Sequence, residues 1–220
     1  MIVIELFSVW KAYGETEVLK NLNLKVEEGD FVSIRGKSGA GKTTLLRIIG
    51  LLELPDKGEV RLFGRSIDGL KDGEKSDIRL HQIGFVFQFF NLIPSLTVLE
   101  NVELPLALAG VKKQEGRRRA LELLEYFGLK GLAERFPDSL SGGERQRIAI
   151  IRALANRPKI ILADEPSSSL DDENSGLLMD LLARINREEK VAIVLTTTDL
   201  YEGLPTKRDY VLKEGLLTEI

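Results

Sequence analysis

The chain has 220 residues, with 31 Lys and Arg against 34 Asp and Glu and a formal net charge of −3. That length suits one large α/β domain or a core with a smaller insertion, and the charge supplies no basic field that would call for nucleic acid as a partner. There is no cysteine and a single histidine, His81, which excludes disulfides, cysteine-held metals, multi-histidine centres and a Ser-His-Asp triad built within one chain.

No stretch reaches the roughly 18 consecutive apolar residues of a membrane span. The opening MIVIELFSVWKAYG lacks a basic start followed by a long apolar run, so no signal peptide is expected. The expected location is therefore cytoplasmic, with any membrane role supplied by a partner. Short β-type runs come first, at Ile2–Phe7, Leu22–Val26, Phe31–Ile34 and Glu59–Phe63. Glu28-Gly29-Asp30 and Pro55-Asp56-Lys57-Gly58 punctuate them as turns. Phe31–Ile34 leads into a glycine-rich turn and then a helical pattern carrying Leu45, Leu46, Ile48 and Ile49. Ile83–Phe87 reads as a buried strand. From about 89 to 156 the pattern is helical, with one helix over Arg117–Phe127 and another starting near Ser141 and running through Ile148, Ile151 and Leu154. Strands follow at Ile160–Ala163 and Val191–Leu195 with a helix around Gly176–Ile185 between them, and the last strand candidate is Asp209–Leu212.

Strands alternating with helices predict a parallel sheet covered on both faces. With Gly36-Lys37-Ser38-Gly39-Ala40-Gly41-Lys42-Thr43 lying between a strand and a helix in the pattern of a phosphate loop, the expected fold is α/β: a phosphate-loop NTPase core with a parallel sheet, a small antiparallel β subdomain and an inserted helical subdomain. It forms a single domain over 1–220, with 1–88 and 157–220 as core and about 89–156 as the helical lobe.

Gly36-Lys37-Ser38-Gly39-Ala40-Gly41-Lys42-Thr43 fits the phosphate-loop pattern, and it follows a strand and opens a helix. Glycines let successive N–H groups point at phosphate oxygens, and the helix N-terminus adds its positive end. Lys42 is expected to neutralise the β- and γ-phosphates, and the Thr43 hydroxyl to hold Mg²⁺. Ile160-Ile161-Leu162-Ala163-Asp164-Glu165 is an apolar strand ending in two carboxylates. In phosphate-loop ATPases such an Asp supports Mg²⁺, a role that suits Asp164, and Glu165 is placed to orient or deprotonate water.

Leu140-Ser141-Gly142-Gly143-Glu144-Arg145-Gln146 lies between these motifs. Ser141 and Glu144 have the spacing of a capping box, and a capped helix start with bare glycines is also an anion site. In order and spacing, over essentially the whole chain, the three motifs resemble the ATP-binding-cassette ATPases. The resemblance implies that Ser141, Gly142, Gly143 and Glu144 are a signature motif meeting the γ-phosphate held by an opposite subunit. It implies a homodimer or heterodimer closed over two ATP molecules, and an integral membrane permease subunit as partner, with the chain peripheral at the inner face of the cell membrane. Gln88 resembles the Q-loop glutamine, catalytic and within reach of Mg²⁺. Ser169-Leu170-Asp171 resembles the D-loop, and Tyr13 in Lys11-Ala12-Tyr13-Gly14 the aromatic that stacks on adenine. The nucleotide-binding set is then Tyr13 with Gly36, Lys37, Ser38, Gly39, Ala40, Gly41, Lys42, Thr43 and Thr44. The segment from Phe85 to Pro94, the run Leu96-Thr97-Val98-Leu99-Glu100-Asn101-Val102, and Glu144 where many relatives carry Gln are similar to the lipoprotein-release and macrolide-export group.

One position departs from the pattern. Most such cassettes have Thr-His-Asp after the last core strand, whereas here Thr196-Thr197-Thr198-Asp199 puts threonine at the histidine position. A hydrogen bond to a charged group is worth about 1.5–3 kcal/mol, so its loss would slow turnover roughly 10- to 100-fold. The expectation is an ATPase that binds ATP normally and turns over slowly. The alternatives are a hydrolysis-deficient binding module or the weaker half of a heterodimer. A chromosome-maintenance cassette is rejected because no sustained heptads separate phosphate loop and signature. His81 reads as a surface or packing residue, Phe89 and Phe90 as packing residues, and the basic run Lys112, Lys113, Arg117–Arg119 as a solvated helix face. The apolar stretch Phe89–Leu99 is the better candidate for docking cytoplasmic helices of a transporter.

Overall fold

The computed structural model describes residues 1–199 and 203–220. Strands β1 (Ile2–Tyr13), β2 (Thr16–Glu27), β4 (Lys57–Leu62) and β5 (Arg65–Ser66) form an antiparallel sheet in the order β2-β1-β4-β5. A second sheet is built from β3 (Phe31–Arg35), β6 (Ile83–Val86), β7 (Ile160–Asp164), β8 (Ala192–Thr197), β9 (Arg208–Lys213) and β10 (Leu216–Glu219). Its order is β10-β9-β3-β8-β7-β6, parallel throughout except for the β9–β10 hairpin. The helices are α1 (Lys42–Ile49), α2 (Asp72–Gln82), α3 (Val98–Leu108), α4 (Lys113–Tyr126), α5 (Gly142–Leu154) and α6 (Asp172–Glu189). The expected fold class is observed: a parallel α/β core, a small antiparallel sheet and an inserted set of helices.

The two-residue period of a strand divides the core. Ile160, Leu162, Ala192 and Val194 face a cluster shared with α1 and the antiparallel sheet. Ile161, Ala163, Ile193 and Leu195 face the other way, onto Leu178, Leu182 and Ile185 of α6. Strands buried on both faces read as unbroken apolar runs, which is why β7 and β8 are plain in the sequence. A third cluster joins α3, α4 and α5 through Val98, Val102, Leu124, Ile148 and Ile151. Helix α5 serves two clusters at once, because Ile150 and Leu154 turn towards the sheet while Ile148 and Ile151 turn towards α3 and α4.

Several elements differ from the sequence reading. Strands β1 and β2 run to twelve residues each and meet in a hairpin at Tyr13 and Thr16. Register shifts between Leu6 and Val9 break the apolar alternation that would have shown their length. Helix α2 buries none of its residues, so no apolar stripe announces it. Helix α6 starts at Asp172, in a polar first turn, and strand β10 is a short edge with no fully buried residue.

The connection from β6 to α3 is held from within the fold. Asn101, fully buried on α3, accepts from the Ile93 N–H at 2.8 Å and donates to the carbonyls of Ile93, Leu96 and Thr97. Removing the carboxamide takes a partner from four backbone groups of half-buried residues, and leaves the Ile93 N–H and the Leu96 carbonyl without the one it supplied. Asn101→Leu is therefore expected to lower unfolding free energy by about 2–4 kcal/mol. Urea denaturation would read it, and a loss below 1 kcal/mol would mean the segment finds other partners.

Candidate functional site

The site forms where β3, β7 and β8 end side by side. The Gly36 N–H, just past β3, donates to the Thr197 carbonyl at 3.1 Å, tying the glycine loop to β8. Gly41 precedes α1 with φ +103, and an added Cβ would come within 2.8 Å of Val18 Cγ1, so backbone angle and space alike demand glycine there. Lys42 opens α1 and is buried. Its Nζ donates to the Gly36 carbonyl at 2.8 Å and the Lys37 carbonyl at 3.1 Å, and pairs with Glu165 Oε1 at 3.1 Å. Lys37, Ser38 and Gly39 are exposed, and Ala40 and Thr44 half-buried. A cleft of ≈ 630 Å³ has Gly36 to Ala40 on one side, Thr16 to Val18 on another and the β9–β10 turn at its end.

Asp164 and Glu165 close β7. The Thr43 hydroxyl donates to Asp164 Oδ2 at 2.8 Å, and the Thr196 hydroxyl donates to Asp164 Oδ1 at 2.7 Å. Glu165 has φ +45, and its N–H is shared by the Thr196 carbonyl at 3.2 Å and the Thr196 Oγ1 at 3.1 Å. Thr198 is exposed and lines a second cleft, of ≈ 280 Å³, with Glu165, Ser167, Ser168 and Leu170. Thr198 and Glu165 thus share one cleft. The Thr43 hydroxyl and the Asp164 carboxylate, joined by their hydrogen bond, are hard oxygen donors of the kind Mg²⁺ takes. Among the described residues no group of three or more His, Cys, Asp or Glu could hold a metal unaided.

The remaining predicted residues sit around this centre. Gln88 lies in a turn two residues beyond β6 and is half-buried; among the described residues, no hydrogen bond joins its side chain to Thr43, Asp164 or Glu165. Ser141 caps α5: its Oγ accepts from the Glu144 N–H at 3.3 Å, and Glu144 Oε2 accepts from the Ser141 N–H at 2.8 Å. That backbone donor holds the Glu144 carboxyl below the usual carboxylate range. Gly142 packs near Leu170 and Phe90, and a methyl on Gly143 would collide with the Asn174 carboxamide. Asp171 caps α6 by accepting from the Asn174 N–H at 2.8 Å, which keeps its carboxyl low. The start of α5 and the segment from Leu170 to Asn174 are therefore packed together. Tyr13 ends β1 opposite Thr16, outside the lining of the larger cleft. Its ring is exposed, and its hydroxyl donates to Glu53 Oε2 at 2.7 Å.

Some participants escaped the sequence reading. Gln146, fully buried on α5, donates to the Phe87 carbonyl at 3.3 Å, beside Gln88. Arg152 donates to the carbonyls of Phe90 at 3.0 Å and Asn91 at 2.5 Å, two residues with left-handed φ of 58° and 49°. Burial lowers the Arg152 pKa. Phe90 also lies under the Arg145 guanidinium, 5.7 Å from its ring centre. Phe89 does not pack: it is 74% exposed. His81 is a surface residue whose Nδ1 lies 3.0 Å from the Asp77 carbonyl.

A profile of the ABC transporter family matches residues 19–168. An uncharacterized ABC transporter ATP-binding protein of Methanocaldococcus jannaschii is 45% identical, covering 99% of this chain and 99% of its own. The lipoprotein-releasing system ATP-binding protein LolD of Bacteroides fragilis is 46% identical over 97% of this chain and 99% of its own. Among solved structures, the dimeric post-hydrolysis state of the ATP-binding cassette MJ0796, bound to ADP and Pi, superposes with a TM-score of 0.89. It has 46% identity and covers 99% of this chain and 97% of that one.

Proposed function

This chain belongs to the ABC transporter family and is one of its ATP-binding, ATP-hydrolysing subunits, and from that premise we propose how its residues divide the work. The phosphate loop Gly36–Thr43 with Thr44 grips the phosphates, and Lys42 neutralises the β- and γ-groups. Tyr13 stacks on adenine; its exposed ring, carried on the hairpin that also forms one wall of the cleft, supports this. Glu165 takes the proton of the attacking water or orients it. Thr43, Asp164 and Gln88 would hold Mg²⁺, which when bound neutralises charge on the phosphates. Gln88 reaches that centre after the loop moves, and the clamped backbone on either side of it supports a hinge rather than a free linker.

The single observation that carries this reading is the junction of Lys42, Thr43, Asp164 and Glu165 at one strand end. Ser141 to Glu144 meet the γ-phosphate of a second subunit, with Asp171 beside them, so ATP is sandwiched in a dimer. A dimeric relative supports this. The lobe 89–156 docks a membrane permease of the exporter type. The exposed Phe89 and an apolar groove of ≈ 260 Å³ lined by Phe85, Phe87, Leu104 and Leu108 support that. Among the described residues no helix is long and apolar enough to cross a membrane. In this reading the permease is a separate chain that holds this one at the inner membrane face, which the naming of a relative as the ATP-binding protein of a lipoprotein-releasing system supports. Size-exclusion chromatography of Glu165→Gln with ATP tests the sandwich: a monomer at saturating ATP, with and without the permease, would overturn it.

Thr198 favours a slow enzyme, and with it the second reading of a passive half-site in a heterodimer. Its hydroxyl shares the cleft of Glu165 but is shorter than an imidazole. Thr198→His is expected to raise kcat about tenfold with ATP affinity unchanged. An unchanged kcat would mean that Thr198 does not limit turnover.

A further inference from the structure

We propose that Thr196 is a positioning residue for hydrolysis: its hydroxyl and carbonyl together lock the Asp164–Glu165 peptide in its working geometry. The inference rests on the reading of those carboxylates given above. Parallel pairing of β7 and β8 sets Thr196 directly opposite Asp164. Thr196 is fully buried, next to last in a strand whose first four residues are apolar, where a hydroxyl is tolerated only if its hydrogen bonds are made. They are made twice. The hydroxyl donates to Asp164 Oδ1 at 2.7 Å and accepts the Glu165 N–H at 3.1 Å. A group that donates and accepts at once has one usable rotamer, so it fixes what it touches.

The consequences differ for the two carboxylates. Asp164 is held from opposite sides, Oδ1 by Thr196 and Oδ2 by Thr43 at 2.8 Å, so its plane is set before any cation arrives. Were Mg²⁺ held by Thr43 and Asp164, the Thr196 hydroxyl would still hold Oδ1 in place. Glu165 stands in the left-handed region at φ +45, which side-chain-bearing residues disfavour. Such a conformation persists only where the surroundings over-determine it. Here its N–H is caught between the Thr196 carbonyl, 3.2 Å away, and the Thr196 hydroxyl. The backbone turn aims the Glu165 side chain at the phosphate loop, where it meets Lys42 at 3.1 Å. Thr196 thus acts through Asp164 and Glu165 and needs no contact with ATP.

The test compares wild type, Thr196→Val, Thr196→Ala, Thr196→Ser and Glu165→Gln. Steady-state hydrolysis gives kcat and KM, and calorimetry gives nucleotide affinity with and without Mg²⁺. Thr196→Val keeps the shape and the strand's backbone bonds but removes the hydroxyl. We expect kcat to fall about tenfold or more with KM for ATP within about twofold. The gain in nucleotide affinity on adding Mg²⁺ should shrink, while affinity without Mg²⁺ stays at the wild-type value. Thr196→Ala should behave like Val, and Thr196→Ser should recover most of the wild-type kcat. Valine and alanine variants within twofold of wild type in kcat and Mg²⁺ dependence overturn the proposal. So does a serine variant as impaired as valine, since the methyl rather than the hydroxyl would then matter. A Glu165→Gln variant that still hydrolyses ATP at the wild-type rate overturns the carboxylate reading itself, whereas a dead Glu165→Gln beside an unaffected Thr196→Val overturns only the role of Thr196.

Discussion

Glu165→Gln is expected to bind ATP at close to wild-type affinity and to release phosphate about 10²- to 10³-fold more slowly, the usual cost of losing a positioned general base. The substitution is nearly isosteric and keeps an acceptor oxygen facing Lys42. The backbone that supports position 165 is also unchanged, because its N–H is held by Thr196 main-chain and side-chain oxygens. What disappears is the carboxylate's capacity to take a proton, so the loss falls on kcat and not on KM. Phosphate release by stopped-flow and nucleotide affinity by calorimetry separate the two. Retention of more than a tenth of the wild-type kcat would remove Glu165 from the chemistry and leave it as the partner of Lys42.

Lys42→Ala is expected to act on binding instead. The Lys42 ammonium is buried and lies 2.8–3.1 Å from the Gly36 and Lys37 carbonyls and from Glu165. Those same short contacts show that the loop is shaped around a cation. Removing it subtracts charge-assisted bonds to two phosphate groups, so ATP affinity should fall about 10²-fold or more. Adenosine, which lacks the phosphates, should lose little, because the proposed seat of its purine, Tyr13, is left unchanged. Equal losses for ATP and adenosine would instead indicate a collapsed site. The variant also leaves Glu165 without its cation, so a modest fall in thermal midpoint without nucleotide is expected alongside.

Much of this arrangement is legible in the residues. The phosphate loop announces itself because glycines interrupt an apolar strand and a helix with a clear stripe, and because Lys42 and Thr43 sit where the helix begins. Ser141 and Glu144 carry their cap in their spacing. Other features are hidden for definable reasons. Helix α2 has no fully buried residue and only Ile78 packed against the core, so it has no apolar stripe to detect. Gln146 looks like an ordinary polar residue on a helix face, yet it is fully buried because that face meets the chain at Phe87. Within Thr196-Thr197-Thr198 the residue type is constant, and only the register of β8 on β7 decides which hydroxyl reaches Asp164. That register is a long-range property of the sheet. The role of Asn174 is likewise invisible until α5 and α6 are brought together at Gly143. Local chemistry is readable from local sequence; couplings between segments need the packing.

The double allegiance of α5 constrains how the inserted helices can move. Ile150 and Leu154 belong to one packed cluster with Val86 and Ile161 of the sheet, while Ile148 and Ile151 belong to another with Val98 and Leu124. No flexible hinge separates the two groups, since one rigid rod carries them. Close-packed side chains do not deform smoothly; they exchange one interdigitation for another. A tilt of the inserted helices must therefore carry Ile150 and Leu154 from one set of grooves to the next, with Ser141 travelling at the end of the rod. Such an element behaves as a detent, resting in a few defined positions and passing between them abruptly, so a push on the lobe is delivered to the far end of α5 as a step.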